Sequence, residues 1–524
     1  MRYVPSPHFT QNWVLSKPSA RGRRGIVVSQ ARSAAEAGVA ILDAGGNAVD
    51  AAVATALALA TVEPWNSGLG GIGFAVVHRA GQATAEVVDF GPVAPRGLNP
   101  SSFRLTGRLK QDLFAWPEVE GDANIHGPLS FAIPSSTAGY AHMHAAWGKL
   151  PLAEVIAPSI ALAKRGLPQD WYTTLKVASS ASVLRLYAES ARIYLPDGLP
   201  PVAPYQGSTG FFRLGALAET LEQLGRAGLR DQYEGAVAAS IVADVKDMGG
   251  VLSAEDLRAC QARVVPAMQF PWRGRTLQMA GRLTAAPTMQ RVLEQMAAVP
   301  VGDKPDAAWF VALGRAMKQA YQERLEGLGD ADPMAAETCT THLTVCDAEG
   351  TMVAMTTTLL SSMGSRVVLP GSGILMNNGV MWFDPRPGQP NSIAGGKRPL
   401  TNMSPVILRD GERPVLAAGA SGGRRILASV VQMLAFATEF GMTLEEAAHH
   451  PRIDVSGPDL VSADRRLPEA VVAALAADGA TEVVEHGVMP INFACPNVIV
   501  AQPDGVRLGI SDAASPWSAA LAQA

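Results

Sequence analysis

Thr340 and Thr341, followed by His342 in the segment Glu337-Thr338-Cys339-Thr340-Thr341-His342-Leu343-Thr344-Val345, are the residues best placed to do chemistry unaided. They stand between a polar, Ala-rich stretch and an alternating run that reads as a strand. If the chain is cut before Thr340, the hydroxyl becomes a nucleophile and the new α-amino group is the base that activates it. No distant histidine is then required. Threonines also gather in strands for packing alone, so the tripeptide does not decide the matter. The surrounding segments do.

A nucleophile of this kind needs a rigid frame. Residues 33–42 have helical composition and stop at Ala44-Gly45-Gly46, and a second helix spans 48–62 before Pro64. Short strands are expected at 74–78 and 85–90, and helices over 134–164 (interrupted at 148–151), 214–224, 236–248 and 309–325. A linker, 327–336, leads into Thr340. Beyond it strands are expected at 342–346, 352–358, 373–376, 406–408, 415–417, 498–501 and 506–510, with a helix over 426–440. Strands bracketed by helices on both sides of Thr340 predict an α/β sandwich that crosses the cleavage point. Gly68-Leu69-Gly70-Gly71-Ile72-Gly73 fits GxGxxG, but a helix precedes it and a strand follows, the reverse of a dinucleotide fold. It reads as a tight loop or a close backbone approach.

The chain has 524 residues, 48% of them hydrophobic and 17% charged, with a net charge of -4. Nothing in that balance favours a nucleic-acid or anionic-membrane partner. Cys260, Cys339, Cys346 and Cys495 form no CxxC pair, so neither a disulfide framework nor a zinc cage is expected, and a reducing compartment is the default. The N-terminus shows no continuous apolar core of a signal peptide, and the apolar run 51–62 is too short to span a bilayer. A cytoplasmic location is expected. His142 and His144 fall on different faces of a helix and His449-His450 are adjacent, so no metal is expected, nor an organic cofactor. His342 reads as a satisfied core histidine supporting its strand.

The order of several segments resembles the γ-glutamyltranspeptidase family of N-terminal-nucleophile (Ntn) hydrolases. They are Asn47-Ala48-Val49-Asp50 through Val62-Glu63-Pro64 and the glycine loop; Ala132-Ile133-Pro134 with Trp147-Gly148-Lys149-Leu150-Pro151; and Thr340-Thr341-His342 with Asp347 and Gly350. Pro370-Gly371-Ser372-Gly373 with Asn377-Asn378, Lys397-Arg398-Pro399-Leu400, and Gly419-Ala420-Ser421-Gly422-Gly423-Arg424 complete the series. The resemblance implies a four-layer αββα sandwich built jointly by two pieces, 1–339 and 340–524, cut between Cys339 and Thr340 and held together as a heterodimer. Whether that pair associates again is left open. It also implies Thr340 as nucleophile, Thr358 as a hydrogen-bonding assistant, and the N–H groups of Gly422 and Gly423 as the oxyanion hole.

The chain departs from the pattern where the family grips glutamate. Gly91 stands for an expected Arg, Leu360 for an Asn, Trp382 for an acid, and Thr401-Asn402 for a serine pair. These losses remove the clamps for a zwitterion and point away from glutathione. The short segment 387–396 would open the pocket, whereas Trp382 would fill it. The expectation is a self-processing amidohydrolase acting on a small carboxylate-bearing amide. Oxamate, giving oxalate and ammonia in purine breakdown, is the specific candidate. Arg366, Thr401, Asn402 and Arg424, with Trp382, are the residues expected near the substrate. The alternatives are a γ-glutamyl hydrolase or transpeptidase, a glutaryl or cephalosporin acylase, and an unprocessed carboxylate-binding scaffold.

Overall fold

The computed structural model describes residues 13, 15–110, 116–281, 283–328, 338–456 and 459–524. Two seven-stranded antiparallel sheets form its centre. The first runs Ala519–Ala522, Ile26–Ser29, Thr338–Cys346, Met352–Ser361, Ile72–His78, Glu86–Phe90 and Arg263–Pro266. The second runs Ala20–Gly22, Arg507–Ser511, Cys495–Ala501, Arg413–Ser421, Val406–Asp410, Arg275–Met279 and Met268–Trp272. Each sheet draws strands from both sides of Thr340.

Alternation along the strands explains why the sheets stack between helices. Side chains in a strand point to opposite faces in turn. In the first sheet Val27, Ala75, Val77, Val353 and Met355 join a core with the outer helices, while Ile26, Val28, Phe74, Val76 and Ala354 join a core between the sheets. In the second sheet Ile407, Ala417 and Ile499 face that same inter-sheet core. Val406, Leu408, Leu416, Ala418 and Val498 face helices Ala286–Met296, Ala307–Leu328 and Arg425–Thr438. With both faces of both sheets apolar, four layers is the arrangement that buries them all.

The helix Ala48–Val62 is buried along its whole length, and its start ties several of the sequence segments together. Asn47 Oδ1 accepts from the N–H groups of Val49 (2.9 Å) and Asp50 (3.0 Å), and Asp50 Oδ2 accepts from Asn47 N (3.1 Å). That is a capping box. The same Asp50 oxygen accepts from Lys149 N (2.9 Å) and Leu150 N (3.2 Å), and Asn47 Nδ2 donates to Trp147 O (2.7 Å). Asp347 Oδ2 accepts from Ala48 N (2.9 Å), which links this corner to the end of the strand Thr338–Cys346.

Residues 373–376, expected as a strand, form a loop with only isolated bridges, Val368 to Leu375 and Gly70 to Met376. Gly373 has φ +67, and a Cβ there would meet Leu217 N at 2.4 Å, so its backbone turns instead of extending. The helix expected at 309–325 runs Ala307–Leu328, and most of the linker 327–336 lies outside the described residues. The glycine loop behaves as expected: a Cβ at Gly70 would fall 2.1 Å from Leu375 O. Among the described residues no helix is long and apolar enough to cross a membrane, and no cluster of three or more His, Cys, Asp or Glu side chains could hold a metal ion.

Candidate active site

Thr340 sits at an irregularity in the first sheet. Cys339 pairs with Leu360 and Thr341 with Thr357, so Thr358 and Leu359 stand opposite Thr340 alone. A bulge of this kind re-aims a side chain out of the ladder. The Thr340 hydroxyl, only 5% exposed, donates to Thr358 Oγ1 at 3.2 Å, and that oxygen also accepts from Leu360 N at 2.8 Å. Leu360 adopts φ +87, a left-handed conformation unusual for a non-glycine residue, immediately beside the hydroxyl pair.

Across the site the strand Arg413–Ser421 ends in Gly422 (φ +139) and Gly423 (φ +59), just before the helix Arg425–Thr438. A Cβ at Gly422 would lie 2.8 Å from Ala494 Cα, so both the turn and the close approach require glycine. Backbone N–H groups at the start of a fourteen-residue helix carry partial positive charge and suit a developing oxyanion.

Thr340 opens onto two recesses of unequal size. The first, about 10 Å³, is bounded by Leu360, Trp382, Asn402, Met403, Gly423 and Ile426. The second, about 240 Å³, lies on the Gly422 side, with Gln30, Glu63, Lys176, Arg425 and Phe493 in its wall. Glu63 is buried; its Oε1 accepts from Asn66 Nδ2 at 2.7 Å, and the Thr341 hydroxyl is close by. Burial pushes its carboxyl up to about 7. Arg425 Nη1 donates to Ile491 O at 3.0 Å.

With this geometry in place, comparison with known proteins is direct. The family model described as Gamma-glutamyltranspeptidase matches residues 34–339 and 335–521. The chain belongs to the γ-glutamyltranspeptidase family. It is 28% identical over 543 residues to the Acylase ACY 1 proenzyme of Pseudomonas sp. (strain SE83), covering 97% of this chain and 95% of that protein. It is 27% identical over 552 residues to the Glutathione hydrolase proenzyme of Bacillus subtilis (strain 168), covering 94% and 90%. Its fold matches the crystal structure of cephalosporin acylase from Bacillus halodurans with a TM-score of 0.83, at 22% identity, over 99% of both chains. It is therefore an amide-bond hydrolase of the Ntn type with the layered fold that its sequence predicts.

Several family segments serve the frame. Asn377 Oδ1 accepts from Ala132 N (2.9 Å) and Gly379 N (2.8 Å), while its Nδ2 donates to Gly70 O (2.7 Å). Asn378 Nδ2 donates to Ser361 Oγ and Ile125 O, both at 2.7 Å. His342 is buried with Nδ1 2.8 Å from Thr356 Oγ1, and burial holds its pKa down at about 3. Arg366 is spent on its own loop, donating to Ser361 Oγ (2.8 Å) and Gly364 O (2.6 Å). The position expected to hold the family's Arg is closed: a Cβ at Gly91 would meet Phe74 Cζ at 2.5 Å and Arg398 Nη2 at 2.9 Å.

Among the expected substrate-gripping residues, Trp382 and Asn402 border the small recess with Thr340. Thr401 Oγ1 donates to Leu283 O at 3.0 Å and secures the backbone. The backbone carbonyl of Arg424 accepts from Tyr321 Oη at 2.6 Å, and it is the adjacent Arg425 that lines the larger recess. Sequence reasoning overlooked Arg324. Its buried Nη2 donates to Thr401 O (2.9 Å) and Asn402 Oδ1 (3.1 Å), placing a guanidinium behind the small recess and turning the amide's NH₂ end away. Lys176 and Gln30 were also overlooked, because neither lies in a recognisable segment. Glu63 was visible only as part of Val62-Glu63-Pro64.

Proposed function

We propose that the chain cuts itself between Cys339 and Thr340, and that the two pieces, 1–339 and 340–524, together hydrolyse a small carboxylate-bearing amide. Oxamate is the substrate to test. Thr340 Oγ1 attacks the scissile carbonyl and its proton passes to the Thr340 α-amino group. Thr358 accepts from the hydroxyl and orients it, and the N–H groups of Gly422 and Gly423 receive the oxyanion. The proton then moves to the departing nitrogen as the C–N bond breaks, and water resolves the ester. The Asn402 NH₂ end, fixed from behind by Arg324, is the donor assigned to the substrate carboxylate.

The observation that carries the acyl specificity is the lining of the recess bounded by Leu360 and Trp382, which presents Asn402 and has neither a carboxylate nor a cation in its wall. A glutamyl head group there would lose its charged partners, at a cost of about 1–3 kcal/mol for each hydrogen bond forgone. Ammonia release from oxamate, measured beside glutaryl and γ-glutamyl amides at equal concentration, tests the reading. Release concentrated on oxamate supports it. Preference for the γ-glutamyl amide returns the enzyme to the transpeptidases' substrate range, and preference for the glutaryl amide to that of the acylases.

A further inference from the structure

We infer that Glu63 is the base for the first cut, taking the hydroxyl proton of Thr340 as that hydroxyl attacks the carbonyl of Cys339. The inference rests on the reading above that the chain cuts itself before Thr340. In the uncut chain the Thr340 nitrogen is an amide, its lone pair tied up in the peptide bond. The α-amino base of the mature enzyme is a product of the cut and cannot catalyse it. A base must therefore come from the folded chain. Thr358 Oγ1, which receives the Thr340 hydroxyl at 3.2 Å, is a neutral hydroxyl and orients without holding a proton. Lys176 and Arg425, in the wall of the larger recess, are cations. His342 faces Thr356, lines neither recess, and with its pKa held down at about 3 is a poor base. Glu63 is the one carboxyl among the residues that line the two recesses with Thr340.

Its carboxyl is tied to the residues opposite the nucleophile. Asn66 Nδ2 donates to Glu63 Oε1 at 2.7 Å, and Asn66 O accepts at 2.8 Å from Leu359 N, one of the two residues opposite Thr340 at the bulge. The second oxygen, Oε2, is shut off from bulk solvent and has no hydrogen-bond partner among the described residues, nor has the Thr341 hydroxyl beside it. A buried carboxyl oxygen left unpaired costs stability and calls for a task. Burial, the larger influence, and Lys176, which favours the charged form, leave its pKa near 7. Such a group takes a proton and gives it back at neutral pH. Tyr172, Cys495 and Arg425 are the other titratable groups of that wall. The recess, about 240 Å³, has room for several waters at about 30 Å³ each, enough for a short proton relay. In the first step Thr340 Oγ1 bonds to the Cys339 carbonyl carbon and its proton goes to Glu63. That proton passes to the Thr340 nitrogen as the C–N bond breaks, leaving an ester and a free amine. Water then adds to the ester, Glu63 takes its proton, and the proton moves to Oγ1 as the ester breaks. Cys339 ends as a carboxylate, Thr340 as an ammonium with its hydroxyl restored, and Glu63 as it began.

The test follows cutting of the freshly synthesised full chain by denaturing gel and intact mass, from about pH 5 to about pH 8.5, a range that brackets the Glu63 titration. The wild-type rate should climb with pH and level off above about 7. Glu63→Gln should cut about a hundredfold or more slowly and lose that inflection. Glu63→Asp, which keeps a carboxyl, should recover part of the rate together with an inflection. Lys176→Met, which removes the cation, should move the inflection to higher pH. Glu63→Gln in the uncut Thr340→Ala chain should be at least as stable to denaturant as Thr340→Ala alone, which separates slow cutting from misfolding. A merely supporting role would slow cutting equally at every pH. Glu63→Gln cutting within about threefold of wild type, or slowed with the inflection kept, overturns the assignment, as does a wild-type rate that is flat across the range. A wild-type chain that stays whole at every pH sinks the reading of self-cutting, and the role of Glu63 with it.

Discussion

Thr340, Thr358 and Leu360 interact so closely that a change at one is felt by the others. Thr340→Ala should leave a single uncut chain without amidase activity, whereas Thr340→Ser should still cut, as seen by denaturing gel and ammonia release. Thr358→Ala should slow both cutting and turnover by roughly tenfold to a hundredfold, with Thr358→Ser largely restoring them. Leu360 holds φ +87, where Asn is far better tolerated, and borders the acyl recess. Leu360→Asn should therefore keep or raise stability while shifting relative kcat/KM from oxamate toward γ-glutamyl amides. Glu63 gives a signature in pH. Its folded pKa is raised from 4.5 to about 7, so between those values the folded chain holds a proton that the unfolded chain has released. Stability accordingly falls as pH rises through that window. Glu63→Gln should remove the dependence, its advantage over wild type growing from pH 4.5 to 7 to a few kcal/mol and then levelling, as read by denaturant titration.

At the scale of elements, the features legible in the sequence were those with a local cause. The helix 48–62 was found with its observed bounds because Asn47 caps one end and Pro64 follows the other. Thr340, Thr358, Gly422 and Gly423 were singled out by their resemblance to family segments, and the fold places Thr340 beside the other three. Features that depend on tertiary placement stayed hidden. Strands Ile26–Ser29 and Ala519–Ala522 are short and apolar, and pair only because segments far apart in sequence meet beside the strand Thr338–Cys346. Residues 373–376 have a strand's composition, but the close approach of Gly373 to Leu217 bends them. Arg424 and Arg425 cannot be told apart until the helix start fixes which one turns toward the cavity. The Asp50 corner makes a prediction of its own. Asp50→Ala unties the capping box and two backbone N–H groups at once, and should cost about 2–5 kcal/mol in a denaturant titration, far more than an exposed cap.

For the whole molecule, the decisive property is that both sheets combine strands from before and after Thr340. Thr338–Cys346 lies between Ile26–Ser29 and Met352–Ser361, and Met352–Ser361 pairs in turn with Ile72–His78. The pairings of residues 341–346 with both neighbouring strands do not depend on the bond before Thr340. The two pieces should co-elute on size exclusion and unfold together, and neither should fold when produced alone. If the bond before Thr340 is cut, the frame is expected to hold through these neighbours rather than through chain continuity. The measurement that bears most directly on the function is intact-mass and N-terminal analysis of the purified protein during maturation, with hydrolysis followed on the same samples. The expected result is two pieces, 1–339 and 340–524, with Thr340 as the new N-terminus and activity rising in step with the cut. Full activity in a single uncut chain, or undiminished activity in Thr340→Ala, would contradict it.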